Sequence, residues 1–147
     1  MKVYLGADHR GFELKNQIMG QLKNRGIDAV DLGAHELLPE DDYNDYAVAV
    51  CQAVLSTPDS YGILLCSSAQ GMCMQANRFK GIRAAFCHDP AEAKLSREHN
   101  DANVICISSD SRNVDSCGEI LETFLHTEFL NLDRYIRRNQ KLDEALV

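Results

Sequence analysis

Residues 61–71 read Tyr-Gly-Ile-Leu-Leu-Cys-Ser-Ser-Ala-Gln-Gly. A continuous apolar run followed by small residues fits a strand buried on both faces, ending in a tight loop before a helix. The flanking sequence repeats that alternation on either side. Upstream, Val3–Gly6 is a short β-rich run, and from Gly11 to Arg25 the residues Phe12, Leu14, Ile18, Met19 and Leu22 mark one helix face. Gly26 closes that helix and Ile27–Leu32 forms a second strand. An acidic loop over 33–45 leads to a helix over Tyr46–Leu55, broken at Thr57-Pro58-Asp59. Downstream come a short helix over Gly71–Arg78, a strand over Ile82–Cys87 and a helix over Pro90–Glu98 with proline near its start. A fifth strand over Val104–Ile107, a helix over Val114–Leu125 and a basic helix over 128–147 complete the chain. This order predicts an α/β fold, a single doubly wound domain over 1–147 with a five-stranded, mostly parallel sheet and helices on both faces. Ligands bind beyond the carboxyl ends of such strands, which selects Ala7–Gly11, Gly33–Asp45, Ser67–Gly71 and Ser108–Asn113.

Composition narrows the function. The chain has 147 residues, 45% hydrophobic and 25% charged, so it can bury a core without disulfides or a structural metal. Its net charge of −7 argues against nucleic acid or an anionic membrane as partner. No apolar run approaches the roughly 20 residues of a membrane span, and Asp8-His9 follows the first apolar run too soon for a secretory signal. The six cysteines form no CxxC pair, and several lie inside apolar runs, where a thiol packs as a small hydrophobe. A reduced, cytoplasmic protein is expected.

The strand ends carry the chemistry. Asp8-His9-Arg10-Gly11 places an acid, a base and a cation together; Asp8 reads equally as a helix cap. Cys66 precedes Ser67, Ser68, Ala69, Gln70 and Gly71, a loop whose backbone N–H groups suit an anion or developing oxyanion. A cysteine at a helix N-terminus can have its pKa lowered; a lone one more commonly just ends a packed strand. His99-Asn100, between a helix end and a strand, can exchange protons near neutral pH, or simply cap the helix. His88-Asp89-Pro90 reads as a cap-and-proline helix start, Cys73 as core, and His35 and His126 as surface. Arg134 and Arg138, four residues apart, share one helix face within a run carrying four cations and no acid over 134–141. That run suits either a specific anion or a solvated basic face.

Taken in order, the segments GADHRGFELK (6–15), DYNDYA (42–47), GILLCSSAQGM (62–72), AN (76–77), GIRAA (81–85), SREHNDANV (96–104) and RYIRR (134–138) resemble one family. It comprises the type B ribose-5-phosphate isomerases and the related galactose-6-phosphate isomerase subunits, and the likeness runs to about Arg138. The resemblance implies a dimer or tetramer without metal or organic cofactor. It also implies interconversion of aldose and ketose sugar phosphates through an enediolate. By position, Cys66 is implied as the base that moves the proton, and His99 as the ring-opening histidine, assisted by Ser68. Asp8 and His9 are implied at the ring oxygen, hydroxyls and phosphate. Ser67, Ala69, Gln70 and Gly71 fall in the anion-stabilising loop, Asn100 at a substrate contact, and Arg134 and Arg138 at a phosphate clamp. The C-terminal helix is expected to contact a partner subunit.

Three positions depart from the family pattern. Ser67-Ser68-Ala69 stands for Gly-Thr-Gly, which restricts the backbone angles open to an anion nest. Ser108-Ser109-Asp110 stands where an arginine usually follows, so Asp110 is expected to repel phosphate, with Arg112 as a substitute cation. Tyr135 replaces a common histidine. Some relatives use a glutamate at the position of Met72; here Cys66 is the base candidate in that loop. Two expectations compete on these grounds: an isomerase whose substrate differs from ribose 5-phosphate, and a weakly catalytic sugar-binding subunit of an oligomer. A flavodoxin-like electron carrier shares the alternation but leaves the His-Asn and arginine signals without a purpose.

Overall fold

Side-chain alternation along the strands builds two cores. In the computed structural model, which describes residues 1–144, β1 (Lys2–Ala7), β2 (Asp28–Asp31), β3 (Ser60–Cys66), β4 (Ala84–Phe86) and β5 (Val104–Ser108) form one sheet. Val3, Leu5, Ala7, Ile63, Leu65, Ile105 and Ile107 point to one face. There they meet α1 (Phe12–Asn24), α4 (Pro90–Asn100) and α5 (Val114–His126). Tyr4, Leu64, Cys66, Val104 and Cys106 point to the other, against α2 (Tyr43–Ser56) and α3 (Gln70–Ala76). Finally α6 (Asp133–Glu144) packs against α4.

The strand order is β2-β1-β3-β5-β4, and every pairing is parallel rather than mostly so. From β1 the chain steps outward to β2, then crosses back over β1 to β3. That reversal opens a crevice at the carboxyl ends of β1 and β3, where such folds bind their ligands. Register brings Ala7 beside Leu65 and Cys66 beside Ser108, so three loops leave the sheet at one level.

Element bounds depart from the sequence reading where local geometry intervenes. Helix α2 begins at Tyr43, three residues early, because Asp42 and Asp45 suit the positive end of a helix. Helix α4 runs on to Asn100, and the left-handed Asp101 (φ 45°) stops it. His99 and Asn100 therefore sit in its last turn rather than in a connecting loop. Strand β4 has three residues, not six. The expected C-terminal helix starts at Asp133, since Leu130 N–H donates to the Glu98 carbonyl at 3.1 Å and Asn131 is left-handed; its end at 145–147 lies outside the described residues.

Candidate active site

Asp8 follows the last residue of β1 and is buried, with 4% of its surface exposed. Its Oδ1 accepts from the backbone N–H groups of Arg10 (3.0 Å) and Gly11 (3.1 Å), which curls the chain into α1. The cap of α1 is Gly11, so Asp8 is not the cap. A Cβ on Gly11 would lie 2.5 Å from the Leu65 carbonyl oxygen; glycine lets the turn press against β3. The other carboxylate oxygen, Oδ2, accepts the Cys66 thiol proton with sulfur at 3.0 Å.

This pairing reverses the expectation of a lowered cysteine pKa. Burial, and then the adjoining Asp8 carboxylate, push the Cys66 thiol up to about 12, against a smaller opposing pull from the backbone N–H groups of Ser67 and Ala69. Those two N–H groups form a partial nest at the sulfur. Ala69 adopts the left-handed conformation (φ 59°, ψ 1°) despite its side chain, at a cost of about 1–2 kcal/mol. The missing glycines therefore do not prevent the turn. Ser68 is exposed, its hydroxyl within 3.4 Å of the Gln70 N–H, and Gln70 is exposed at the start of α3. At Gly71 a Cβ would meet the Tyr43 ring at 2.5 Å.

The acidic loop supplies Asp41, which no sequence signal singled out within Gly33–Asp45. Its Oδ1 accepts from His9 Nδ1 (2.7 Å) and the His9 backbone N–H (3.1 Å), and its Oδ2 from the Tyr46 hydroxyl (2.8 Å). Burial resists ionisation of Asp41, but the bonds from His9 and Tyr46 outweigh it and hold the carboxyl below its ordinary range. Burial and the bonded Asp41 push the Tyr46 phenol up to about 12. With Nδ1 committed to Asp41, Nε2 is the His9 ring nitrogen left for another partner. Asp8, His9 and Asp41 bring ligand atoms within 4.8 Å of one another, close enough for a cation, though all three already have hydrogen-bond partners.

The remaining candidates lie elsewhere. Because α4 returns toward the amino end of β5, its last turn is separated from Cys66 by about 13 Å of strand, at 3.3 Å per residue. His99 stacks on Tyr135 with ring centroids 4.4 Å apart, and its carbonyl accepts from Asn139 Nδ2 at 3.3 Å. Asn100 is exposed beside it. The Arg134 guanidinium lies 4.7 Å over the Tyr135 ring and donates to its hydroxyl, so tyrosine at that position orders the arginine. Arg138 is exposed on the same helix. One chain thus brings Asp8, His9, Cys66 and residues 67–71 together, and His99, Asn100, Arg134 and Arg138 together, at opposite ends of the sheet.

Smaller readings resolve as follows. Arg112 donates to the carbonyls of Ser111 and His88, so it is not the substitute cation beside Asp110. Cys73 is half-buried rather than core, its thiol 3.5 Å from the Ala84 carbonyl. His35 and His126 are exposed, and Asp89 caps α4 by accepting from the Glu92 N–H at 2.8 Å. Lys15 escaped the sequence reading although it stands in the segment 6–15. Fully buried, it donates to both Asp31 oxygens at 2.6 Å and to the Ala34 carbonyl at 2.5 Å, tying α1 to the end of β2.

The doubly wound sheet thus brings a carboxylate-bonded thiol and a backbone nest together at its switch point. The chain belongs to the Ribose/Galactose Isomerase family, whose model matches residues 3–142. It is similar to the probable ribose-5-phosphate isomerase B of Mycoplasma pneumoniae, at 42% identity over 86% of this chain and 84% of that one. The ribose-5-phosphate isomerase B of Mycolicibacterium paratuberculosis is 38% identical over 98% and 91%. Among solved structures, ribose 5-phosphate isomerase from Thermotoga maritima superposes with a TM-score of 0.93 at 40% identity, covering 97% of each chain. Ribose-5-phosphate isomerase B from Mycoplasma genitalium with bound ribulose-5-phosphate gives 0.92 at 35%, covering 98% and 95%.

Proposed function

We propose that the protein interconverts ribose 5-phosphate and ribulose 5-phosphate through an enediolate, in a site completed by a second copy of the chain. The Cys66 thiol bonded to Asp8 carries this reading. As Cys66 Sγ takes the proton from C2 of the open-chain aldose, its own proton passes to Asp8 Oδ2. The C–H electron pair becomes the C1=C2 bond and the carbonyl oxygen becomes an oxyanion. Backbone N–H groups over 67–71 receive that charge, with the Ser68 hydroxyl beside them. The proton of the C2 hydroxyl then moves to the C1 oxygen, Cys66 Sγ returns a proton to C1, and the proton held by Asp8 passes back to the sulfur, which gives the ketose and restores thiol and carboxylate. His9 holds a sugar hydroxyl through the Nε2 that Asp41 leaves open.

His99, Asn100, Arg134 and Arg138 are too far from Cys66 in their own chain, which supports a homo-oligomer in which α4 and α6 of one copy face the thiol of another. There His99 opens the sugar ring and the two arginines bind phosphate. No described helix is long and apolar enough to cross a membrane, and all six cysteines are free, which suits a reducing cytoplasm. The expectation of a different substrate rested on Asp110 repelling phosphate and on the substituted loop over 67–69; Asp110 lies against Arg10 at 3.2 Å, and Ala69 still makes the left-handed turn. The decisive experiment follows ribose 5-phosphate in deuterated water: the native protein should form ribulose 5-phosphate with solvent deuterium exchange, and Cys66→Ala should lose both while keeping its fold. Full turnover in Cys66→Ala would overturn the assignment of the base.

A further inference from the structure

Three loops meet beside Cys66, and two of them exchange charge. Ser109 N–H donates to the Cys66 carbonyl (2.9 Å) and Asp110 N–H to that of Ser67 (3.3 Å), so the loop after β5 runs along the thiol loop. Ser109 Oγ donates to the Arg10 carbonyl at 3.0 Å, fastening the loop after β1 to the same edge. Across this seam Arg10 Nη2 donates to both Asp110 oxygens (3.2 and 3.4 Å), and the Ser67 hydroxyl donates to Oδ2. Resting on the reading of the site as a sugar-phosphate isomerase, we propose that Arg10 is a phosphate contact of this chain and Asp110 the residue that positions it.

A guanidinium carries five N–H donors on three nitrogens. Among the described residues only Nη2 is engaged, which leaves Nε and Nη1 for an anion. Arg10 is about half exposed, with 54% of its side chain open, and sits two residues from Asp8 at the mouth of the crevice. A carboxylate on one nitrogen restricts the rotamers of a long side chain, so less entropy is lost when an anion binds the others. Ser67 in turn orients Asp110, linking the arginine to the residue next to Cys66. In this arrangement Asp110 does not face the phosphate; it stands behind the cation that does.

The test separates a contact from mere neutralisation of Asp110. Arg10→Ala should weaken inorganic phosphate binding, read as protection of Cys66 from alkylation, by about tenfold or more. It should raise KM for ribose 5-phosphate in proportion, with the loss in KM rather than kcat. The double variant Arg10→Ala/Asp110→Ala should stay as weak, because the contact is still missing. Arg112→Ala should bind phosphate like the native protein. Recovery of native phosphate affinity in the double variant, or no loss in Arg10→Ala, would overturn the proposal. A native protein that binds phosphate through Arg10 yet fails to isomerise ribose 5-phosphate would uphold this contact and overturn the substrate reading instead.

Discussion

At the scale of single residues, the proposed chemistry rests on the Cys66–Asp8 pair. A thiol facing a carboxylate in a buried site stays protonated at neutral pH, so base strength arises only when Asp8 can take the thiol proton. Asp8→Asn removes that acceptor and should lower kcat by about 10²–10⁴-fold. It should also move the pH at which Cys66 becomes alkylatable downward from about 12, because the carboxylate raises the thiol and burial alone remains. An alkylation profile of iodoacetamide against pH reads this directly; an unchanged midpoint would show that Asp8 does not act on the sulfur. Asp41 behaves in the opposite sense. Its folded pKa is depressed, so its contribution to stability is complete above the unfolded value near 3.9 and is lost as pH falls through the folded one. Urea unfolding should therefore find Asp41→Asn less stable than the native protein at pH 7, with the gap closing below about pH 4.

At the scale of elements, the buried Lys15 bolts α1 to β2. Asp31→Ala strands a fully buried ammonium and should cost about 3–5 kcal/mol in urea unfolding. Lys15→Met should cost less, because the Asp31 carboxylate left behind keeps about a quarter of its side chain exposed to water. The five strands and their helices were legible in the sequence because hydrophobic period changes sharply between them: Leu14, Ile18 and Leu22 step along one helix face, while Ile63 to Leu65 run without a break. The ends of elements were less legible. The stop at Asp101 depends on a left-handed residue with no glycine to announce it, so the sequence places His99 between the helix end and the next strand rather than in the last turn. Lys15, Asp41 and the Arg10–Asp110 pair were missed because long polar side chains find their partners across the sheet, at separations of 16, 32 and 100 residues. No local pattern encodes such a meeting.

At the scale of the whole molecule, the proposed sharing of the site between two copies has an arithmetic consequence. A Cys66→Ala chain keeps its arginines, and an Arg134→Ala/Arg138→Ala chain keeps its thiol. In a twofold dimer whose two sites each draw residues from both chains, mixing them at random gives one intact site in half of the dimers, or about a quarter of native activity. Assays on unfolded and co-refolded mixtures should show this recovery, while each variant alone remains inactive. No recovery, together with full activity of a monomer, would place the whole site within one chain.

The protonated resting state of Cys66 reaches beyond turnover. Peroxide and most electrophiles react with thiolate, and their attack slows as the thiolate fraction falls. A sulfur held near pKa 12 is about three-thousandfold scarcer as thiolate at neutral pH than an ordinary cysteine near 8.5. The bond to Asp8 and the burial that raise the thiol therefore also shield the sulfur from oxidants. In the proposed reaction that keeps oxidative damage away from the atom it can least spare.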